Sequence, residues 1–294
     1  MFNNCTSLTT APELPATTLS YCCYHSMFYG CTSLTSAPQL PATTLAKSCY
    51  HSMFNNCQSL KTAPELPATT LTENCYVDMF RNCTSLTQAP ELPATTLAPW
   101  CYYEMFFNCT GLTTAPELPA TTLANYCYYS MFYYCTSLTK APVLIAEDVP
   151  LSGYKQMFNY CKKLNEITCY AKTFGNDATQ NWVSNVASTG TFYKDFETEW
   201  TTGTSGIPSG WTVVNINEPE VPEEDPADDI TLPYVTFKAE EAGSTLGLSK
   251  LSTIQTLEYS KDKSTWNTLD TSSTVTLSPS KLYSALFKNP LTIG

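Results

Sequence analysis

The sequence predicts an α/β solenoid followed by a small all-β domain. Three observations carry this. Met1, Met27, Met53, Met79, Met105, Met131 and Met157 stand 26 residues apart, and so do Cys5, Cys31, Cys57, Cys83, Cys109, Cys135 and Cys161. A period of this size is the mark of stacked coils. Within each copy, apolar residues at i, i+4 and i+8 precede a short extended stretch bounded by prolines. Past residue 232 the pattern changes to alternating β-type runs with turn residues between them.

One copy cannot fold alone. Its few large apolar side chains contribute about 1.5–3 kcal/mol each when buried. Ordering the chain costs about 1.5 kcal/mol per residue. Stacking must supply the difference. In the copy "CYHSMFNNCQSLKTAPELPATTLTEN", Cys49, Met53 and Cys57 share one helical face, with Phe54 beside it. This predicts a short helix or 3₁₀ segment. "SLKTA" follows as a strand of three to five residues, because Pro64 and Pro67 cannot donate to a ladder. "ATTL" returns the chain to the next helix, with Leu71 pointing inward. Stacked copies then form a parallel ribbon on one face and helices on the other.

The pattern "L..AP.LPATTL...CY..MF..CTSL" resembles the leucine-rich repeats of BspA-type bacterial surface proteins, in a variant of 26 residues. The "F..CTSL" signature is carried by Phe28–Leu34 and its copies. The resemblance covers residues 1–170, six and a half repeats, and implies a right-handed leucine-rich-repeat coil. It also implies a secreted or surface-displayed protein of host-associated anaerobes, acting in adhesion and protein binding. One departure is the proline-rich extended stretch, with alanine where a larger aliphatic residue is usual.

Four segments are expected: the repeats at 1–170, a C-terminal cap at 171–215, a linker at 216–232 and a β-domain at 233–294. In the cap, residues 176–188 read as a helix with Asp177 as its N-cap. "GTFYKDFETEW" and "SGIPSGWTVVN" read as two strands around a turn, and Trp182, Trp200 and Trp211 as core. "EPEVPEEDPADD" combines proline with self-repelling charge, so it reads as an extended linker, and its acids lack the spacing of an EF-hand loop. "LEYSKDKSTWNTL" reads as a hairpin with Trp266 inward, within a small Ig-like domain that is short for its class.

Composition narrows the function. Only 14% of residues are charged and the net charge is −11. Seven acids lie between Glu218 and Asp229, whereas Met1 to Lys140 hold seven acids against four bases. With no basic stripe, nucleic acid is not an expected partner. No apolar run of about 18 residues is present, so no membrane span is expected. Residues 1–20 have no basic and apolar leader pattern, and the chain starts inside a repeat. The expectation is an extracellular or cell-surface monomer whose leader and cap are missing from this chain. The alternative is a phage virion or tail-fibre protein that binds bacterial surface glycan.

No enzyme, cofactor or metal site is expected. All 14 cysteines lie at or before Cys169 and follow the repeat. Two in one unit, such as Cys49 and Cys57, would be about 12 Å apart along a helix, too far for a disulfide. Buried thiols are the simpler reading. His25 and His51 share a column with Val77, Tyr103 and Tyr129, so no role is kept there. Glu13, Glu65, Glu91 and Glu117 form a solvated ladder, with Gln39 in the same column.

Binding is the function left. The positions that differ between copies gather aromatic residues in the fifth and sixth units: Trp100, Tyr102, Tyr103, Phe107, Tyr126, Tyr129, Tyr133 and Tyr134. Tyrosine and tryptophan with Asn, Ser and Thr suit protein or glycan contact. The competing reading packs half of these rings on the helical face. A second candidate surface is the column Thr9, Thr35, Lys61, Thr87, Thr113 and Thr139.

Overall fold

The computed structural model describes residues 1–216 and six strands beyond them. The chain divides into two compact units, Met1–Pro219 and Glu220–Gly294. Each is described by itself.

The repeats of the first unit stack like on like, but the expected helices are absent: the described residues contain no helix. The α/β solenoid is therefore corrected. The segment from Ser48 to Cys57 is a ribbon of consecutive turns. The N–H groups of Cys49, His51, Met53, Asn55 and Cys57 donate to carbonyls three residues back, at 3.0–3.4 Å. The N–H groups between them, of Ser48, Tyr50, Ser52, Phe54 and Asn56, donate instead to Glu73, Cys75, Val77, Met79 and Arg81 of the next copy, at 2.7–3.1 Å. Half the backbone donors thus close turns and half tie copies together. An α-helix would send every N–H to its own i−4 carbonyl.

The cause is a left-handed residue at every fourth position: Ser48 (φ 58°), Ser52 (φ 55°) and Asn56 (φ 63°). Asn74, Asp78 and Asn82 repeat this in the next copy. Asn, Asp and Ser tolerate that conformation better than most residues. The ribbon still repeats every four residues, so Cys49, Met53 and Cys57 do share one face, and all are fully buried. At Asn82 (φ 60°) the backbone term can be isolated. Asn82→Ala is expected to cost about 1–2 kcal/mol and Asn82→Gly less, because alanine alone meets the left-handed penalty. Both lose the Asn108 Nδ2 hydrogen bond to Asn82 Oδ1 (3.0 Å), so the difference between them in urea unfolding reads the strain.

Two ring columns run through the interior. Phe2, Phe28, Phe54, Phe80, Phe106, Phe132 and Phe158 stack at 5.6–5.7 Å between centroids. Tyr24, Tyr50, Tyr76, Tyr102 and Tyr128 stack at 5.7–5.9 Å, and Tyr154 ends the column in a tilted contact with Tyr128 at 6.1 Å. Leu34, Leu60, Leu86, Leu112, Leu138 and Leu164 fill the space beside them. The thiols are free. From Cys31 to Cys161, one thiol per copy donates to a phenylalanine carbonyl of the preceding copy, as Cys57 Sγ does to Phe28 O at 3.1 Å. Burial therefore leaves these S–H groups satisfied rather than orphaned.

The expected parallel ribbon is also thinner than predicted. Copies pair through single-residue bridges, Thr10 to Ser36 to Thr62 to Gln88 to Thr114, with a second set at Thr18–Thr44 and Thr96–Thr122. Prolines two residues after the first set stop the ladder. Where prolines cease, strands lengthen. Strand β1 (Asp148–Val149) pairs parallel with β3 (Thr173–Phe174). Strands β2 (Glu166–Cys169), β4 (Thr191–Asp195) and β5 (Thr212–Ile216) form a parallel sheet with Ile167, Phe192 and Val213 in register.

Within the segment expected as a cap, the helix expected at 176–188 is absent, and the turn ribbon continues there. Residues 176–185 form another turn ribbon, with left-handed Asp177, Asn181 and Asn185. Tyr154, Gln156 and Phe158 donate to Ala178, Gln180 and Trp182 at 2.8–3.0 Å. The two strands expected around a turn are parallel neighbours, so they form no hairpin. Trp182 and Trp211 are buried, and their Nε1 groups donate to Gly206 O (2.9 Å) and Ala187 O (2.8 Å). Trp200 packs on Trp182 at 5.5 Å.

In the second unit, strands β6 (Tyr234–Lys238), β11 (Leu282–Phe287), β8 (Thr256–Ser260) and β9 (Trp266–Asp270) form an antiparallel sheet in that order. Strands β7 (Thr245–Gly247) and β10 (Thr274–Thr276) pair antiparallel. The β8–β9 pair sets Leu257 opposite Leu269. The expected linker, past Ile216, and the inward placement of Trp266 lie outside the described residues. Among the described residues no helix is long and apolar enough to cross a membrane.

Candidate functional site

Around the aromatic cluster the turn ribbons alternate pairs of inward residues, such as Cys101–Tyr102 and Met105–Phe106, with pairs of outward ones, such as Tyr103–Glu104 and Phe107–Asn108, and these outward columns carry the site. Six of the seven predicted ligand-binding residues come together there: Trp100, Tyr103, Tyr126, Tyr129, Tyr133 and Tyr134, each half-buried. The seventh, Tyr102, does not. It is 1% exposed, inside the interior tyrosine column, and is corrected to a core residue. Its place was visible in the sequence, because "CY" recurs unchanged from Cys23–Tyr24 to Cys127–Tyr128.

The rings pair across copies. Trp100 stacks on Tyr126 at 3.9 Å, Tyr103 on Tyr129 at 4.8 Å, and Phe107 on Tyr133 at 4.6 Å. Tyr134 stacks on Tyr160 at 4.5 Å. Tyr160 was missed, although it stands one period after Tyr134. Tilted contacts join the pairs: Trp100 to Tyr103 at 5.4 Å, Tyr126 to Tyr129 at 6.3 Å and Tyr133 to Tyr134 at 5.2 Å. Burial pushes the Tyr103 and Tyr133 hydroxyls above the usual phenol range.

Two cations border this surface, and sequence reasoning missed both. The Arg81 guanidinium lies 3.8 Å from the Phe107 ring centroid. It pairs with Asp78 at 3.5 Å and with Glu104. Desolvation raises the Asp78 carboxyl to about 6, against the lowering effect of Arg81. Lys155 Nζ stands 5.9 Å from the Tyr129 ring centroid and 3.4 Å from Asp177 Oδ2.

The backbone beneath these rings is unusual. Trp100 (φ 61°), Tyr126 (φ 61°), Tyr134 (φ 62°) and Tyr160 (φ 62°) all occupy left-handed positions. Equivalent positions in other copies carry Ser48 and Asn74, or Asn56, Asn82 and Asn108. A bulky residue there costs on the order of 1 kcal/mol or more. The four aromatic residues are placed against local preference.

The other surfaces offer less. Thr35, Lys61 and Thr113 are exposed, and the Thr35 and Thr113 hydroxyls donate to backbone carbonyls of the preceding copy at 3.3–3.4 Å. Prolines and glutamates line two shallow cavities, of about 430 Å³ at Glu91 and Glu117 and about 340 Å³ at Glu65 and Glu91. The His25 and His51 rings meet in a tilted contact at 4.6 Å, and desolvation, followed by the charge of His25, lowers His51 to about 4. Among the described residues no group of three His, Cys, Asp or Glu could hold a metal ion. Burial raises Cys57, Cys75, Cys109 and Cys127 to about 12, far from the range of a reactive thiolate. Compared with family models, curated proteins and solved structures, the chain matches none.

Proposed function

We propose that this chain is a non-enzymatic binding module that engages a protein or glycan through its aromatic face. Its repeats resemble those of BspA-type proteins, which supports a role in adhesion at a cell surface, and the proposal takes the second unit as an Ig-like spacer. One observation carries the reading: four aromatic residues sit in left-handed positions where other copies use Asn or Ser. Strain held against local preference is characteristic of binding surfaces. The rings are also half-buried, so they are held in place and lose little conformational freedom on contact.

The test returns the strained positions to what the other copies use. The full chain carrying Trp100→Asn, Tyr126→Asn and Tyr134→Asn together is expected to fold with stability within about 2 kcal/mol of the parent, since lost stacking is offset by relieved strain. Its binding to a panel of matrix proteins, mucins and bacterial surface glycans is expected to fall at least about tenfold. Unchanged binding by the folded variant rejects the aromatic face as the site.

A further inference from the structure

The rings of the aromatic face largely cover one another. The four pairs led by Trp100, Tyr103, Phe107 and Tyr134 stack at 3.9–4.8 Å, so each ring has one face closed by its partner. Two further faces carry cations of this chain, Arg81 on Phe107 and Lys155 on Tyr129. A protein side chain that binds by filling an apolar pocket finds little open ring here. Half-buried rings in outward columns leave their polar rim to solvent instead.

The charges that border the rings are already paired. Arg81 is held by Asp78 and Glu104, Lys155 by Asp177, and Lys47 by Glu73. No carboxylate there waits for a cation, and no cation waits for an anion. Charge is therefore not what this face uses to choose a ligand. The hydroxyls are the groups left over. Among the described residues, the buried side-chain polar atoms without a hydrogen bond belong to Thr72, Asp78, Asn159, Thr198 and Trp200, and none is in these rings. The phenol groups of Tyr103, Tyr126, Tyr129, Tyr133, Tyr134 and Tyr160 make no hydrogen bond within the chain, so they are open to solvent. Each can donate one hydrogen bond and accept others, from a ring that stacking already holds in place.

We propose that the aromatic face binds an uncharged oligosaccharide, held by hydrogen bonds to the tyrosine hydroxyls rather than by packing on open rings. A ligand rich in hydroxyls and free of charge is the one whose chemistry matches a row of phenols among paired ions. This rests on the aromatic face being the binding surface, and it names the class of ligand that surface takes. Tyr103, Tyr129 and Tyr133 are the residues to change, because none of them has a left-handed backbone. Phenylalanine there keeps the stacked ring and loses only the hydroxyl.

The test screens the full chain on neutral oligosaccharides of glucose, galactose, mannose and N-acetylglucosamine, beside sialylated and sulfated ones. The strongest neutral binder is then titrated calorimetrically. At least one neutral oligosaccharide is expected to bind, with an affinity that changes less than about twofold between about 0.1 M and about 1 M salt. The chain carrying Tyr103→Phe, Tyr129→Phe and Tyr133→Phe together is expected to keep the urea midpoint of the parent and to bind that sugar at least about tenfold more weakly. Equal affinity of parent and variant overturns the proposal, because packing on the rings would survive the change and hydrogen bonding would not. Failure of every neutral oligosaccharide to bind overturns it too, as does binding of the charged ones alone. Each of these results leaves the aromatic face itself to be judged by the triple asparagine variant: if that variant loses a protein partner, only the glycan is rejected.

Discussion

Phe80→Ala is expected to lower the stability of the first unit by about 3–5 kcal/mol. Phe80 is fully buried, and its ring stacks on Phe54 and on Phe106, both at 5.7 Å. Truncation removes both stacking partners at once and leaves a cavity that the two flanking rings cannot close, since hydrogen bonds between copies hold their spacing. In a stack, stability is close to a sum of unit and nearest-neighbour terms. A defect in the middle therefore weakens two interfaces, whereas one at the end weakens one. Phe2 touches only Phe28 in this column and is partly exposed, so Phe2→Ala should cost less than half as much. Urea midpoints of the two variants measure the difference. Equal losses would mean that the ring column is not the element that couples the copies.

The second large effect is expected in alkali. Burial raises Cys57, Cys75, Cys109, Cys127 and Cys169 to about 12 from an ordinary thiol value of 9.0. Below pH 9 these thiols are protonated in both folded and unfolded chains, and their contribution is fully present. Above it the unfolded chain releases protons that the folded chain keeps, so stability falls as pH rises towards the folded value. Each thiol contributes about 1.4 kcal/mol per pH unit across that window. Five together approach 7 kcal/mol per unit, against a total of about 5–15 kcal/mol for an ordinary domain. Unfolding is therefore expected within about two units above pH 9, and the buried tyrosines, also raised by burial, add to it. Urea midpoints from pH 7 to pH 11 test this. Cys109→Ala should lower stability at pH 7 yet flatten the alkaline slope by about 1.4 kcal/mol per unit. An unchanged slope would show that thiol ionisation does not drive the transition.

Binding and stability meet at the left-handed positions. Asn82 and Asn108 satisfy the backbone and each other there, with a hydrogen bond of 3.0 Å. One column position further, Tyr134 and Tyr160 forgo that and stack instead. The copies that carry the aromatic face are thus the ones in which local preference is overruled, which is where function is to be sought.

Much of this was legible in the residues. The period of 26, the stacking of like on like, and the burial of Cys49, Met53 and Cys57 follow from spacing alone, because any repeating backbone with a four-residue pitch puts those side chains on one side. The aromatic cluster was legible as variation within a regular text. What spacing could not separate was a helix from a ribbon of turns, since both bring i, i+4 and i+8 together. The local signal was there, in Ser48–Ser52–Asn56 and Asn74–Asp78–Asn82, residues that accept left-handed backbone at every fourth position. The ribbon itself is a tertiary object. Alternate N–H groups have no partner within their own copy, so the conformation is satisfied only when the next copy supplies its carbonyls. The same dependence reduces the strands to single bridges wherever proline removes a donor, and sorts Tyr102 inward but Tyr103 outward on adjacent residues. Sequence determined the period and the buried columns, because these depend on side-chain spacing. Tertiary structure decided the backbone and the open ring faces, because these depend on hydrogen bonds and stacking between copies.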